Sequence, residues 1–205
     1  YTVRELNNGL GGVAYDDAIY TVRVDVTEHA DAKELVATVS YLLDGASAEA
    51  MTFDNSYTVK PLEITLGGTK VLAGRELEAD EFSFVLRDED GKEIQTVSNG
   101  ANGGFAFDPI VYSAPGTYRY TISEVLPQDD DAQIDGVQSD NVTYDETAYE
   151  VEVTVTDNGQ GNLVLSGLTY DGVAEPLVIT NTYEPPSEPP VVPPTNPPAD
   201  GGGIL

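Results

Sequence analysis

The chain has 205 residues, 40% of them hydrophobic, and carries 36 Asp plus Glu against 9 Lys plus Arg, a formal charge of −27. That length and apolar content suit one or two globular domains, while the acidic excess excludes nucleic acid and anionic membranes as partners, because both are held through basic side chains. With no cysteine and a single histidine, disulfides, thiolate metal sites and cysteine nucleophiles are excluded, a serine–histidine–acid site has almost nothing to build on, and nothing calls for a cofactor.

Short segments rich in Val, Ile, Thr and Tyr recur between Gly, Asn and Asp turns, and no stretch keeps a helical period, so the chain reads as all-β. Residues two apart on a strand face the same side of a sheet. Tyr1, Val3 and Glu5 therefore share a face. The sequence opens in mid-strand without a signal peptide or an apolar run of spanning length, which predicts a piece of a longer protein with any export or anchoring signal elsewhere. His29, within Glu-His-Ala-Asp (28–31), reads as a solvated loop residue. Met51, Phe53, Asn55 and Tyr57 form the next inward set.

Further along, Lys70 has the parity of Ile64, Leu66 and Leu72, provided that the pair Gly67-Gly68 inserts no bulge. Asp90-Gly91 and Asn102-Gly103 mark tight turns. In Tyr-Arg-Tyr-Thr-Ile-Ser-Glu (118–124), Tyr118, Tyr120, Ile122 and Glu124 take one face and Arg119, Thr121 and Ser123 the other. Asp-Asn-Gly (157–159) links the strand segments 149–155 and 163–165 as a hairpin. Leu177, Ile179, Asn181 and Tyr183 point inward, opposed by the more polar set Val178, Thr180 and Thr182. The proline-rich run 185–198 predicts a stiff extended spacer, with a proline-rich recognition ligand as the lesser alternative.

Two acidic runs, 88–91 and 129–131, offer hard oxygens of the kind calcium takes, but neither has a full loop signature and both read as solvated turns. Tyr15, Tyr144, Tyr149 and Tyr170 read as strand-face packing rather than a carbohydrate platform.

Part of the chain repeats. Tyr-Thr-Val-Arg-Glu (1–5) matches Tyr-Thr-Ile-Ser-Glu (120–124), Tyr-Asp-Asp-Ala-Ile-Tyr (15–20) matches Tyr-Asp-Glu-Thr-Ala-Tyr (144–149), and Phe-Asp-Asn-Ser-Tyr (53–57) matches Ile-Thr-Asn-Thr-Tyr (179–183). Residues 5 and 124 lie 119 apart, 15 and 144 lie 129 apart, and 55 and 181 lie 126 apart. Residues 1–58 thus read as the back half of a domain whose full copy spans 62–184, with 185–205 as a linker or wall-spanning tail. The inward acid and amide occur twice, as Glu5 with Asn55 and Glu124 with Asn181, whereas neither Lys33 nor Lys60 stands where the repeat places Lys70.

Lys70, Glu124 and Asn181 are polar residues on apolar faces, and together they permit one reaction. Burial lowers the pKa of an amine and raises that of a carboxyl. A neutral Lys70 is a nucleophile toward the Asn181 side-chain carbonyl, while a protonated Glu124 can donate to that carbonyl oxygen and carry protons as ammonia leaves. A buried ion pair completed by an amide is the plainer alternative.

Gly-Thr-Lys-Val-Leu-Ala-Gly-Arg-Glu-Leu (68–77), Glu-Phe-Ser-Phe-Val-Leu (81–86), Gly-Thr-Tyr-Arg-Tyr-Thr-Ile-Ser-Glu-Val (116–125), Val-Thr-Tyr-Asp (142–145) and Ile-Thr-Asn-Thr-Tyr (179–183), in that order, resemble the streptococcal pilin isopeptide-linkage domain of T-antigen-type major pilins. The resemblance implies an Ig-like, Cna-B-type β-sandwich in which Lys70 is the nucleophile, Asn181 the electrophile and Glu124 the catalytic acid/base. It further implies a self-stapled stalk or pilus-shaft protein of a Gram-positive cell surface, cell-wall anchored or in a pilus, whose partners are neighbouring domains or pilin subunits, and which turns over only once rather than acting as an enzyme. No LPxTG-type sorting signal or Tyr-Pro-Lys motif accompanies the match, so polymerisation does not follow from it. Competing readings are an adhesin module for a host matrix protein or glycan, and a hydrolase with paired carboxylates, against which the inward placement of Glu124 counts.

Overall fold

The computed structural model describes residues 1–28, 34–127 and 141–186. His29, Lys33, the acidic run 129–131 and residues 187–205 of the proline-rich tail lie outside them. The described residues contain strands and no helix. Residues 1–58 form β1 (Thr2–Arg4), β2 (Val13–Ala14), β3 (Ile19–Glu28), β4 (Leu35–Leu43), β5 (Ala46–Ala48) and β6 (Ser56–Tyr57). After them come β7 (Leu62–Ile64), β8 (Gly67–Ala73), β9 (Ser83–Asp88), β10 (Glu93–Ser98), β11 (Gly104–Ala106) and β12 (Ile110–Tyr112). The remainder are β13 (Gly116–Glu124), β14 (Val142–Thr143), β15 (Ala148–Asp157), β16 (Leu163–Tyr170) and β17 (Val178–Tyr183).

From residue 62 onward two sheets pack as a sandwich. One has the order β10-β9-β13-β15-β16 and is antiparallel throughout. The other has the order β11-β8-β17-β14, in which β8 and β17 run parallel. The alternation read from the sequence fixes which residues meet between the layers. Val151, Val153 and Val155 of β15 are buried, as are Phe84 and Leu86 of β9, Ile122 of β13 and Ile179 of β17. Phe84 and Phe105 stack with centroids 3.8 Å apart, joining the two layers. The hairpin expected at 157–159 closes β15 on β16, with the Asp157 carboxylate accepting the Gly159 amide at 2.8 Å. Gly67 and Gly68 pair in register with β11 and introduce no parity change, so Leu66, Lys70 and Leu72 are buried while Thr69 and Val71 face out.

Residues 1–58 are built differently. Among the described residues their sheet, β1-β3-β4-β5, is accompanied only by the small pair β2–β6. Among the described apolar side chains of this segment only Tyr20, at 5% exposure, is buried, whereas Val24, Val26, Leu35, Val36 and Val39 are exposed. A lone sheet has no second layer on which to place its apolar face. This segment meets the sandwich at the β15–β16 turn. Tyr57 donates its hydroxyl to Asp157 at 2.8 Å and accepts the Gly161 amide at 3.1 Å. Gly12 and Gly161 approach so closely that a Cβ on either would fall 2.5–2.6 Å from the other's Cα, and both have positive φ. Only glycine fits such a backbone contact.

Candidate functional site

The parallel pairing of β8 and β17 sets Lys70 opposite Ile179 and Asn181 opposite Leu72. Lys70 and Asn181 are therefore diagonal neighbours on one inward face. Glu124 ends β13 in the facing sheet, across from Phe84. Lys70 Nζ donates to Glu124 Oε2 at 2.7 Å, and Asn181 Nδ2 donates to Glu124 Oε1 at 2.9 Å. One carboxylate thus holds the amine with one oxygen and the amide with the other. Water is kept away: Lys70 is 2% exposed, Glu124 6% and Asn181 0%.

Burial is the largest influence on both ionisable groups. It pushes the Lys70 ammonium below the usual lysine value, outweighing the opposing pull of the Glu124 hydrogen bond and charge. It likewise raises the Glu124 carboxyl, against the lowering influence of Lys70 and Asn181. Both directions favour the neutral pair. Phe82 presents its ring 4.6 Å from Lys70 Nζ, and Phe84 lies 5.9 Å away, forming an aromatic wall beside the amine.

The carbonyl end of Asn181 differs from the sequence expectation. Its Oδ1 accepts the backbone amide of Asp145 at 2.8 Å, while Glu124 engages the amide nitrogen, so Glu124 does not donate to this oxygen. The Asp145 carboxylate turns back on its own loop, accepting the Thr147 amide at 2.9 Å and the Tyr149 hydroxyl at 2.7 Å. Burial would raise its pKa, but these hydrogen bonds prevail and hold it below the usual carboxylate value.

The repeat is visible in the geometry. Asn55 Nδ2 donates to Glu5 Oε1 at 2.6 Å, and Asn55 Oδ1 accepts the Asp16 amide at 2.8 Å. Asp16 in turn accepts the amides of Ala18 and Asp54, which lower its pKa. Glu5 Oε2, the counterpart of the oxygen that holds Lys70, is shielded from solvent and has no hydrogen-bond partner among the described residues. Lys60 is exposed, and its backbone bridges to Asn162.

Among the described residues no group of His, Asp and Glu is placed to hold a metal. Asp88 spends one carboxylate oxygen on the amides of Asp90 and Lys92 in its own turn. Tyr144, Tyr149 and Tyr170 pack against the core, and the Tyr15 hydroxyl accepts the Leu10 amide. Sequence reasoning passed over Phe82 and Asp145. The pair Tyr15-Asp16, repeated as Tyr144-Asp145, was the available signal for the latter.

The family model described as FctA, Spy0128-like isopeptide containing domain, matches residues 1–58 and 66–184. Comparison with curated proteins gives no match. Among solved structures, the chain is similar to a mutant of the major pilin from Streptococcus pyogenes, at 19% identity and a TM-score of 0.28, over 87% of this chain and 65% of that one. The chain therefore spans about 65% of that pilin's length.

Proposed function

The chain belongs to the FctA family of Spy0128-like isopeptide containing domains, and on that premise we propose that residues 62–184 staple themselves by an amide bond between Lys70 Nζ and Asn181 Cγ. The observation that carries this reading is the single sealed carboxylate of Glu124, bonded to the amine on one side and to the amide on the other. The Lys70 ammonium passes a proton to Glu124, a step favoured by the burial of both groups. The neutral amine adds to Cγ. Glu124 gives its proton to Nδ2 and takes one from the attacking nitrogen, the Cγ–Nδ2 bond breaks, and ammonia leaves with Glu124 again a neutral acid. Alignment comes from strand register, and intramolecular reactions so oriented reach effective molarities of about 10⁵ M or more. The reaction occurs once per molecule and makes no enzyme.

Residues 1–58 are the back half of a second such domain. Glu5 and Asn55 there repeat the acid and the amide, and the unpartnered Glu5 Oε2 is the place for a lysine carried by a strand outside this segment. Residues 185–205 serve as a spacer. The assembled protein is a shaft or stalk on a Gram-positive cell surface, with pilin subunits or neighbouring domains as its partners.

Intact mass tests the reading. The folded chain should weigh one ammonia less than its sequence, fragmentation should yield a branched peptide joining residues 70 and 181, and Glu124→Ala should restore the full mass. An unmodified mass in the folded wild type would defeat the proposal.

A further inference from the structure

We infer that the backbone amide of Asp145 is the oxyanion donor of the cross-linking reaction, held in aim by the Asp145 carboxylate and the Tyr149 hydroxyl. This inference rests on the Lys70–Asn181 reading above. When Lys70 Nζ adds to Cγ, the carbonyl electrons move onto Asn181 Oδ1, which becomes an alkoxide until Nδ2 departs as ammonia. Glu124 is committed to the two nitrogens, since its oxygens accept from Lys70 and from Asn181 Nδ2. The oxygen that becomes the alkoxide already accepts the Asp145 N–H, at 2.8 Å, within the range in which such donors act.

The aim of that N–H is built rather than incidental. Thr147 and Tyr149 anchor the Asp145 side chain from positions two and four residues ahead, fixing the peptide plane between 144 and 145. Tyr149 belongs to β15, paired with β13 at Ile122, so the clamp is referenced to the strand that carries Glu124. A related arrangement occurs in residues 1–58, where the Asp16 amide holds Asn55 Oδ1 at 2.8 Å and the Asp16 carboxylate is fixed by the amides of Ala18 and Asp54, the Tyr20 hydroxyl bonding Thr52 instead. Both copies of the repeat thus aim an Asp backbone amide at an asparagine oxygen. A group serving only to satisfy that acceptor needs no such anchoring.

The test separates donor from scaffold. The full chain is assembled from synthetic and expressed segments with an ester in place of the amide between residues 144 and 145, which deletes the N–H and keeps every side chain. Ammonia loss is followed by mass after dilution from denaturant, beside an assembled all-amide chain. Removal of an oxyanion donor should slow bond formation about 10²- to 10³-fold, whereas loss of an ordinary neutral hydrogen bond changes an equilibrium only about fivefold. Slowing within fivefold of the all-amide chain overturns the inference. Recombinant Tyr149→Phe, refolded in the same way, decides the matter if the ester chain does not fold. It should react about tenfold more slowly, the worth of one charge-assisted hydrogen bond, and an unchanged rate counts against the clamp. If the all-amide chain itself loses no ammonia, the underlying Lys70–Asn181 reading fails. If it reacts and the variants match it, only the oxyanion role fails.

Discussion

At the scale of single residues, the site is costly until its charges are neutralised or joined. Without the amide bond, a buried Lys70 facing Glu124 at 2.7 Å recovers only part of the solvation it has lost. Asn181→Ala leaves that pair intact but removes the electrophile, so it isolates the uncross-linked state. Glu124→Ala should be less stable than Asn181→Ala by about 3–5 kcal/mol in urea unfolding, because it strands the lysine without a partner. The pH dependence of Asn181→Ala has a definite sign. Glu124 has a raised folded pKa, so its contribution is present below the unfolded value of 4.5 and is lost as pH rises through the folded one. Lys70 has a lowered folded pKa, so its contribution is present above 10.5 and is lost as pH falls through the folded one. Relative to a triple variant with Lys70→Met and Glu124→Gln added, stability should therefore show a trough between those two folded values. A flat difference profile would contradict the burial shifts.

At the scale of strands, much of the site was legible because it depends on parity. The alternation of β8, β13 and β17 put Lys70, Glu124 and Asn181 inward, and the one doubtful step, across Gly67-Gly68, resolves in favour of a regular ladder with β11. The Asp145 contribution was not legible in the same way, since a backbone amide is common to nearly every residue and its aim depends on a loop closed by Thr147 and Tyr149. The contact of Gly12 with Gly161 was hidden for a related reason: it joins turns far apart in sequence through main chain alone. Strand position can be tested at Gly103. This residue has φ +83, and its carbonyl accepts the Lys70 amide at 2.7 Å. An added Cβ would lie 2.2 Å from the Lys70 backbone oxygen. Gly103→Ala should displace β8, cost about 1–3 kcal/mol from backbone strain alone, and slow ammonia loss by mass. Normal kinetics would mean that the ladder absorbs the change.

At the scale of the whole molecule, β8 and β17 are neighbours running in parallel, so pulling on the two ends of the sandwich shears them past each other. With Lys70 bonded to Asn181 as proposed, the stretch of 111 residue steps from 70 to 181 is removed from the path of tension. By analogy with disulfides, closing a loop of that length stabilises by roughly 4–5 kcal/mol. In single-molecule stretching, the wild-type sandwich should release none of this segment, whereas Glu124→Ala should release about 390 Å of chain at roughly 3.5 Å per residue. Release of that length by the wild type would show that the strands are not joined. Tyr57 bears on how residues 1–58 sit against the sandwich, because its hydroxyl bonds Asp157 and Gly161 together. Tyr57→Phe should broaden the range of angles between the two parts, measured by residual dipolar couplings. Couplings unchanged from wild type would assign the junction to the glycine contact alone.

The closeness of β8 to β17 also bears on how the proposed cross-linked form withstands cleavage. In the proposed cross-linked form, a cut anywhere between 70 and 181 leaves one fragment that carries Lys70 and another that carries Asn181, and the bridge still ties them. Such a molecule changes from a closed loop with two tails to a branched chain without parting. Damage in the intervening turns then removes local order but not continuity, so the cross-linked chain stays in one piece after nicks that would sever an ordinary one.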